Sequence, residues 1–186
     1  MRFKNSLLLS FFLVASLLQA QSIPPPFLSD SSYVFASKMQ YKDMVMQGYL
    51  AVQYTDACNF RASVNTTMGS TLLDLEWKDG VCTEHYVMDK LDNRFILNAL
   101  KSDFELLFLQ TLQKGKWKQD SIKKVSGHKY YLTFENDKLQ QVDNKNWLGK
   151  LRRSLLFDYK NDDTQLKSIQ LKHHNFALLL ELTPLD

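Results

Sequence analysis

From Tyr33 onward the chain alternates apolar and polar side chains with a period of two, in runs separated by only a few residues. Tyr33, Phe35, Ser37, Met39 and Tyr41 share one face, and Ser32, Val34, Ala36, Lys38 and Gln40 share the other. That is the pattern of a half-buried strand. Further strands are predicted from Met44 to Tyr54, Cys58 to Val64, Thr71 to Lys78 and Val81 to Met88. Gly48 reads as a bulge or a close approach of backbone, and Asp79-Gly80 as a tight hairpin that needs left-handed residues. Parallel neighbours would need crossovers of a dozen or more residues, so short turns predict an antiparallel meander.

The period then changes. Between Asp92 and Leu112, Phe95, Ile96, Ala99 and Leu100, then Phe104, Leu107, Phe108 and Leu112, recur at three-to-four spacing, the stripe of an amphipathic helix. Ser102-Asp103-Phe104-Glu105 has the spacing of a capping box, which predicts two helices meeting near Lys101 and Ser102 and ending before Gly115. Strand signals return from Lys129 to Glu135, Leu139 to Val142, Leu148 to Tyr159, Gln165 to Lys172 and Asn175 to Leu182. A long twisted sheet curls rather than staying flat, and helices inserted midway can cover the hollow. The predicted fold is mainly β with a helical insertion (α+β). It is a curved antiparallel sheet or unclosed β-barrel of about nine to eleven strands, capped by a helix pair.

The N-terminus reads as an address. Arg2 and Lys4 precede the apolar run from Ser6 to Leu18, and small residues follow at Ala20 and Ser22. This is a secretory signal layout over residues 1–22, and the run is shorter than the roughly 20 residues that span a bilayer. Ile23-Pro24-Pro25-Pro26-Phe27 is expected to be extended, so residues 23–31 form a leader to one domain over 32–186, with a helical lid at about 91–113. Cys58 and Cys82 are the only cysteines; neither follows the signal, so a soluble periplasmic protein is expected rather than a lipid-anchored one. No later segment is long and apolar enough to span a membrane. Without residues 1–20 the chain has 21 bases against 20 acids. Phosphate binding needs a clustered basic footprint, and these charges are interspersed, which argues against nucleic acid.

Candidate chemistry is sparse. His85, His128, His173 and His174 do not form a metal-ligand spacing; the adjacent His173 and His174 point to opposite strand faces, and one of them is placed to pair with Glu181. Asp74 and Glu76 share an outer face as solvated charges rather than as opposed catalytic carboxyls. Cys58 and Cys82 start the third and fifth strands, about 9 to 10 Å apart across an intervening strand, beyond the roughly 7 Å a disulfide allows. Two free thiols are favoured over a bridge. Arg153 alternates with Leu151, Leu155, Phe157 and Tyr159 and so points inward, where it can bind a carboxylate, a phosphate or a helix-end carbonyl. With it, Phe35, Tyr49, Phe60, Trp77, Phe95, Phe104, Phe108 and Phe157 are the candidate lining of a hollow. No catalytic residue, metal or cofactor is predicted.

A signal segment, an antiparallel curved sheet, a helical insertion after the fifth strand and the closing pair FDYKNDDTQLKSIQLKHHNFALLLEL together resemble the Lol lipoprotein-carrier superfamily. GYLAVQYTDACNFRASVNTTMGSTLLDLEW and LNALKSDFELLFL resemble exported bacterial proteins of the same structural group. The resemblance rests on layout, carries over no site residue, and implies an unclosed barrel capped by helices that shields acyl chains in the periplasm. The expected function is a non-enzymatic carrier or binding protein sheltering an acyl chain, a lipoprotein or another amphiphile in an apolar hollow under the lid. The alternatives are an envelope module that binds a protein partner and has a filled core and, more weakly, a glycan or lipid hydrolase.

Overall fold

The computed structural model describes residues 32–56, 59–108, 122–125, 128–136, 138–160 and 165–185. Strands β1 (Ser32–Tyr41), β2 (Met44–Tyr54), β3 (Phe60–Thr66), β4 (Thr71–Lys78) and β5 (Val81–Val87) are followed by helix α1 (Arg94–Phe108). Then come β6 (Ile122–Val125), β7 (His128–Glu135), β8 (Lys138–Lys145), β9 (Leu151–Tyr159), β10 (Leu166–His173) and β11 (Leu178–Pro184). All join one 11-stranded sheet in the order β5-β4-β3-β2-β1-β11-β10-β9-β8-β7-β6. The order leaves β5 and β6 as edges, so the sheet is not closed.

Each half of the sheet is a meander, because successive alternating runs are joined by turns too short for anything else. Asp79 (φ 52°) and Gly80 (φ 81°) are both left-handed and make the hairpin read from the sequence. The halves meet where β1 pairs with β11, from Phe35 opposite Pro184 to Tyr41 opposite Leu178. β6 has no counterpart in the sequence-based reading. The predicted strand from Leu148 begins at Leu151 instead, because Asn146 to Gly149 form the β8–β9 turn.

The capping helix is one element, not two. α1 runs unbroken through Lys101 and Ser102, while the lid residues 109–113 lie outside the described part of the chain. Asn93 caps its start: its side-chain oxygen accepts the Phe95 amide at 3.0 Å and its carbonyl accepts the Leu97 amide. Ser102 and Glu105, spaced like a capping box, serve tertiary contacts instead.

Curvature follows from what α1 touches. Lys101 contacts Glu84 on β5, and Asp103, two residues on, contacts Arg153 on β9. Those strands are seven positions apart in the sheet, about 33 Å if flat, whereas two helical residues span about 3 Å. Only a sheet curled around the helix brings both walls to it. The concave face is apolar on nine strands and packs on α1, with Leu50, Leu73, Leu75, Trp77, Leu91, Phe108, Val142, Leu155 and Leu171 having no exposed surface.

Gly48 confirms the close approach expected of it. A Cβ there would lie 1.8 Å from the Asn65 carbonyl oxygen on β3, a backbone atom that cannot swing away. Gly48→Ala is therefore expected to lower stability by about 1–3 kcal/mol or more through overpacking, measured as a shift in the urea midpoint.

Candidate functional site

The charged cluster inside the sheet is the most distinctive chemistry of the fold. Alternation on β9 turns Arg153 inward beside Leu155 and Phe157, as the sequence predicts, and there it meets α1. Its Nη1 donates to Asp103 Oδ1 at 2.7 Å and to Ser102 Oγ at 3.1 Å, and its Nη2 donates to the Tyr130 hydroxyl at 3.0 Å. His173 Nε2, from β10, lies 3.0 and 2.8 Å from the two Asp103 oxygens. A carboxylate only accepts, so that nitrogen carries the hydrogen. Asp103 is fully buried, and Arg153 Nε has no hydrogen-bond partner among the described residues.

Sequence reasoning found Arg153 but not Asp103, His173 or Tyr130. A signal for Asp103 was present: it lies three residues after Leu100 and four before Leu107 on the apolar stripe of α1. An acid on a buried stripe needs a buried cation, and Arg153 was the one inward arginine on the strands. Neither histidine pairs with Glu181, contrary to expectation. His174 instead bonds Ser154 at 2.9 Å, because the register sets Glu181 opposite Gln170, four residues before His174, where Lys38 and Gln170 take it.

The rest of α1 is pinned to the opposite wall. Glu105 accepts the Trp77 indole hydrogen at 3.3 Å, Lys101 pairs with Glu84, and the Tyr54 hydroxyl donates to the Phe108 carbonyl at 3.0 Å. The last contact satisfies one of the carbonyls that a helix end leaves unpaired.

The structure brings most of the predicted lining together. Phe60 stacks on Trp77 at 4.5 Å, Phe108 contacts Phe35 and Phe60, and Phe104 meets Trp77 edge-on. Phe157 is buried on β9. Two candidates lie elsewhere. Tyr49 is on the convex face, because it alternates with buried Gly48 and Leu50, and Phe95 is exposed at the start of α1 against Phe176 at 4.7 Å.

Among the described residues, the space beneath α1 where a hollow is expected is nearly filled. The interior space lined by Met39, Met46, Val64, Leu100, Phe104 and Leu180 amounts to about 10 Å³, about one water-sized sphere, because α1 and the aromatic cluster occupy the rest. The larger concavity, about 490 Å³, lies over the convex face between β2 and β10 and is lined by Lys38, Gln47, Tyr49, Gln170 and Glu181 among others.

The outer carboxylates are both held in ion pairs. Arg61 forks onto Asp74 at 2.8 and 2.6 Å, and Glu76 pairs with His85 at 2.8 Å. Hydrogen bonds from the guanidinium hold the Asp74 carboxyl below its ordinary value, against partial burial. Burial pushes the Cys82 thiol up to about 11, which makes it a poor nucleophile at neutral pH. Cys82 is a free thiol, and Cys58, the other half of the weighed bridge, lies outside the described residues.

No family model matches the chain, and no curated protein does. Solved structures do. A LolA superfamily protein from Nitrosomonas europaea is similar at 10% identity and TM-score 0.49, over 92% of this chain and 91% of that one. A domain assigned to outer membrane lipoprotein sorting from Vibrio parahaemolyticus is similar at 8% identity and TM-score 0.42, over 93% and 90%. A DUF1329 family protein from Desulfovibrio piger is similar at 8% identity and TM-score 0.43, over 98% and 92%. Likeness at this level says nothing about a ligand.

Two outcomes are expected. Removing one partner of a buried ion pair strands the other, so Asp103→Ala should lower unfolding free energy by about 3–5 kcal/mol, whereas Asp103→Leu with Arg153→Leu should cost less than the two changes summed, as a denaturant double-mutant cycle would read. On the outer face, Asp74 should titrate by NMR below its ordinary 3.8, and Arg61→Ala should move it upward. Because its folded value is the lower one, the stability it adds is present above the unfolded value and is lost as pH falls through the folded one.

Proposed function

We propose that this protein is an exported, non-enzymatic carrier of an acyl chain, a lipoprotein or another amphiphile. Its cargo wall would be the concave face of the sheet, and α1 the element the cargo displaces. The observation that carries this reading is the single cover. Nine strands turn apolar side chains to one hollow, and among the described residues a helix of 15 residues, with Leu91 before it, fills the space. Phe35, Phe60, Trp77, Phe157 and Arg153 would then face cargo from the sheet, and Phe104 and Phe108 from the helix. The processed signal segment, the periplasmic location and the single domain over 32–186 belong to the same proposal. Among the described residues no helix is long and apolar enough to cross a membrane.

Magnitudes restrict how α1 moves. A sixteen-carbon chain gains about 12 kcal/mol gross on leaving water, at roughly 0.8 kcal/mol per methylene. Full ejection of α1 would expose seven buried apolar side chains, costing about 10–20 kcal/mol. The two nearly cancel, so the carrier reading requires a partial shift in which cargo replaces the sheet as the partner of the helix. The cluster around Asp103 is the polar contact such a shift would break.

A second reading is an envelope module that holds a protein partner, and the small space that the described residues leave beneath α1, together with the convex-face concavity of about 490 Å³, favours it. Mass spectrometry of the purified protein and uptake of a fluorescent acyl probe separate the two. The carrier reading expects bound lipid or saturable uptake, faster in Asp103→Asn, in which α1 is loosened. Absence of lipid and of uptake in both proteins, with envelope proteins co-purifying, would establish the module instead.

A further inference from the structure

The three most exposed large apolar side chains among the described residues are Met68 (95%), Trp147 (86%) and Leu148 (68%). All three stand at one end of the sheet. β3 and β8 are separated by six antiparallel steps, so they run in the same direction, and the tips that follow them, bearing Met68 and Trp147-Leu148, emerge on the same side. β10 is two steps from β8 and likewise parallel to it, which puts Phe176 and its neighbour Phe95 at that end too.

The β8–β9 tip is built rather than loose. Asn146 Oδ1 accepts the amides of Leu148 at 3.0 Å and Lys150 at 2.8 Å. The Asn146 amide donates to the Lys150 carbonyl at 2.9 Å, and the Gly149 amide donates to the Asn146 carbonyl at 3.0 Å. Gly149 takes a φ of 79° to close the turn. These bonds hold Trp147 and Leu148 outward on a short, ordered platform, so little chain entropy remains to be lost when they are covered. The flanking charge has one sign: from Lys145 to Leu156 the sequence is KNWLGKLRRSLL, with no acid. Lys150 and Arg152 are exposed there, and Arg153 turns inward.

We propose that this tip docks the protein on an anionic membrane surface, with Trp147 and Leu148 entering the interface and Lys150 and Arg152 facing lipid phosphates. Tryptophan partitions to the membrane–water boundary because its ring is apolar and its N–H polar, and basic residues beside it add attraction to anionic headgroups. A soluble surface gives an outward Trp-Leu pair no partner, whereas a bilayer supplies one for the apolar pair and the cations together. The inference stands on the tip alone and is independent of the carrier reading.

The test uses the full chain purified from an expressing bacterium, with vesicles of phosphatidylethanolamine with and without phosphatidylglycerol. Wild type and Trp147→Ser/Leu148→Ser share one N-terminus, so any binding by residues 1–31 cancels. Co-sedimentation with phosphatidylglycerol vesicles is expected, with quenching of tryptophan emission by brominated lipid. The double variant, whose changes are fully outside the core and leave the circular dichroism melt in place, should bind about tenfold or more weakly, since interfacial binding scales with buried apolar area. Lys150→Glu should weaken binding only to the phosphatidylglycerol vesicles. Equal binding by wild type and double variant overturns the proposal, as does failure of the wild type to sediment. Self-association that the double variant abolishes, without vesicle binding, overturns it as well and assigns the tip to a second copy.

Discussion

Among the described residues one helix hides the apolar face of a sheet eleven strands wide, and that requirement shapes the rest of the fold. A flat sheet of this width would leave most of its inner face in water. Curling around α1 lets residues two apart on the helix touch β5 and β9. The curl, the stacked Phe60 and Trp77, and the absence of a closed barrel all follow from wrapping a broad surface around a narrow object.

Against this apolar background, the Asp103–Arg153–His173 contact is an exception with a cost. Buried ion pairs return little net stability compared with well-packed apolar residues, so their presence is not explained by strength. What the pair does provide is position. A helix held only by aliphatic packing can slide by a turn at small cost, whereas one whose carboxylate must meet both a guanidinium on β9 and an imidazole on β10 has a single register. The Trp77–Glu105 contact on the other wall makes the same demand from the opposite side.

The strands were legible because their alternation is local: every odd residue from Tyr33 to Tyr41 faces inward, and Asp79-Gly80 can only turn. Gly48 announced a close approach, although only coordinates identify the Asn65 carbonyl as what approaches. The helix was legible as a stripe but was divided in two, because Ser102 and Glu105 have side chains equally suited to capping a helix and to bonding Arg153 and Trp77. Sequence spacing does not distinguish those uses; the identity of the neighbour does. Tyr49 was misplaced among inward aromatics for a related reason: its size suggested a core, while its parity with Gly48 and Leu50 put it outside. Leu148 was absorbed into a strand because nothing apolar signals a turn, yet Asn146 and Gly149 around it had the residue types a turn demands.

The join between β1 and β11 has a consequence for how such a chain comes into being. The centre of the sheet is made from strands far apart along the polypeptide, so the first half emerges from the ribosome with a raw flank at β1 and cannot seal its hydrophobic interior until β11 arrives. Closing so distant a contact is slow compared with forming the local hairpins on either side of it. The seam of the sheet is thus the part of the fold whose formation has to wait for both ends of the polypeptide.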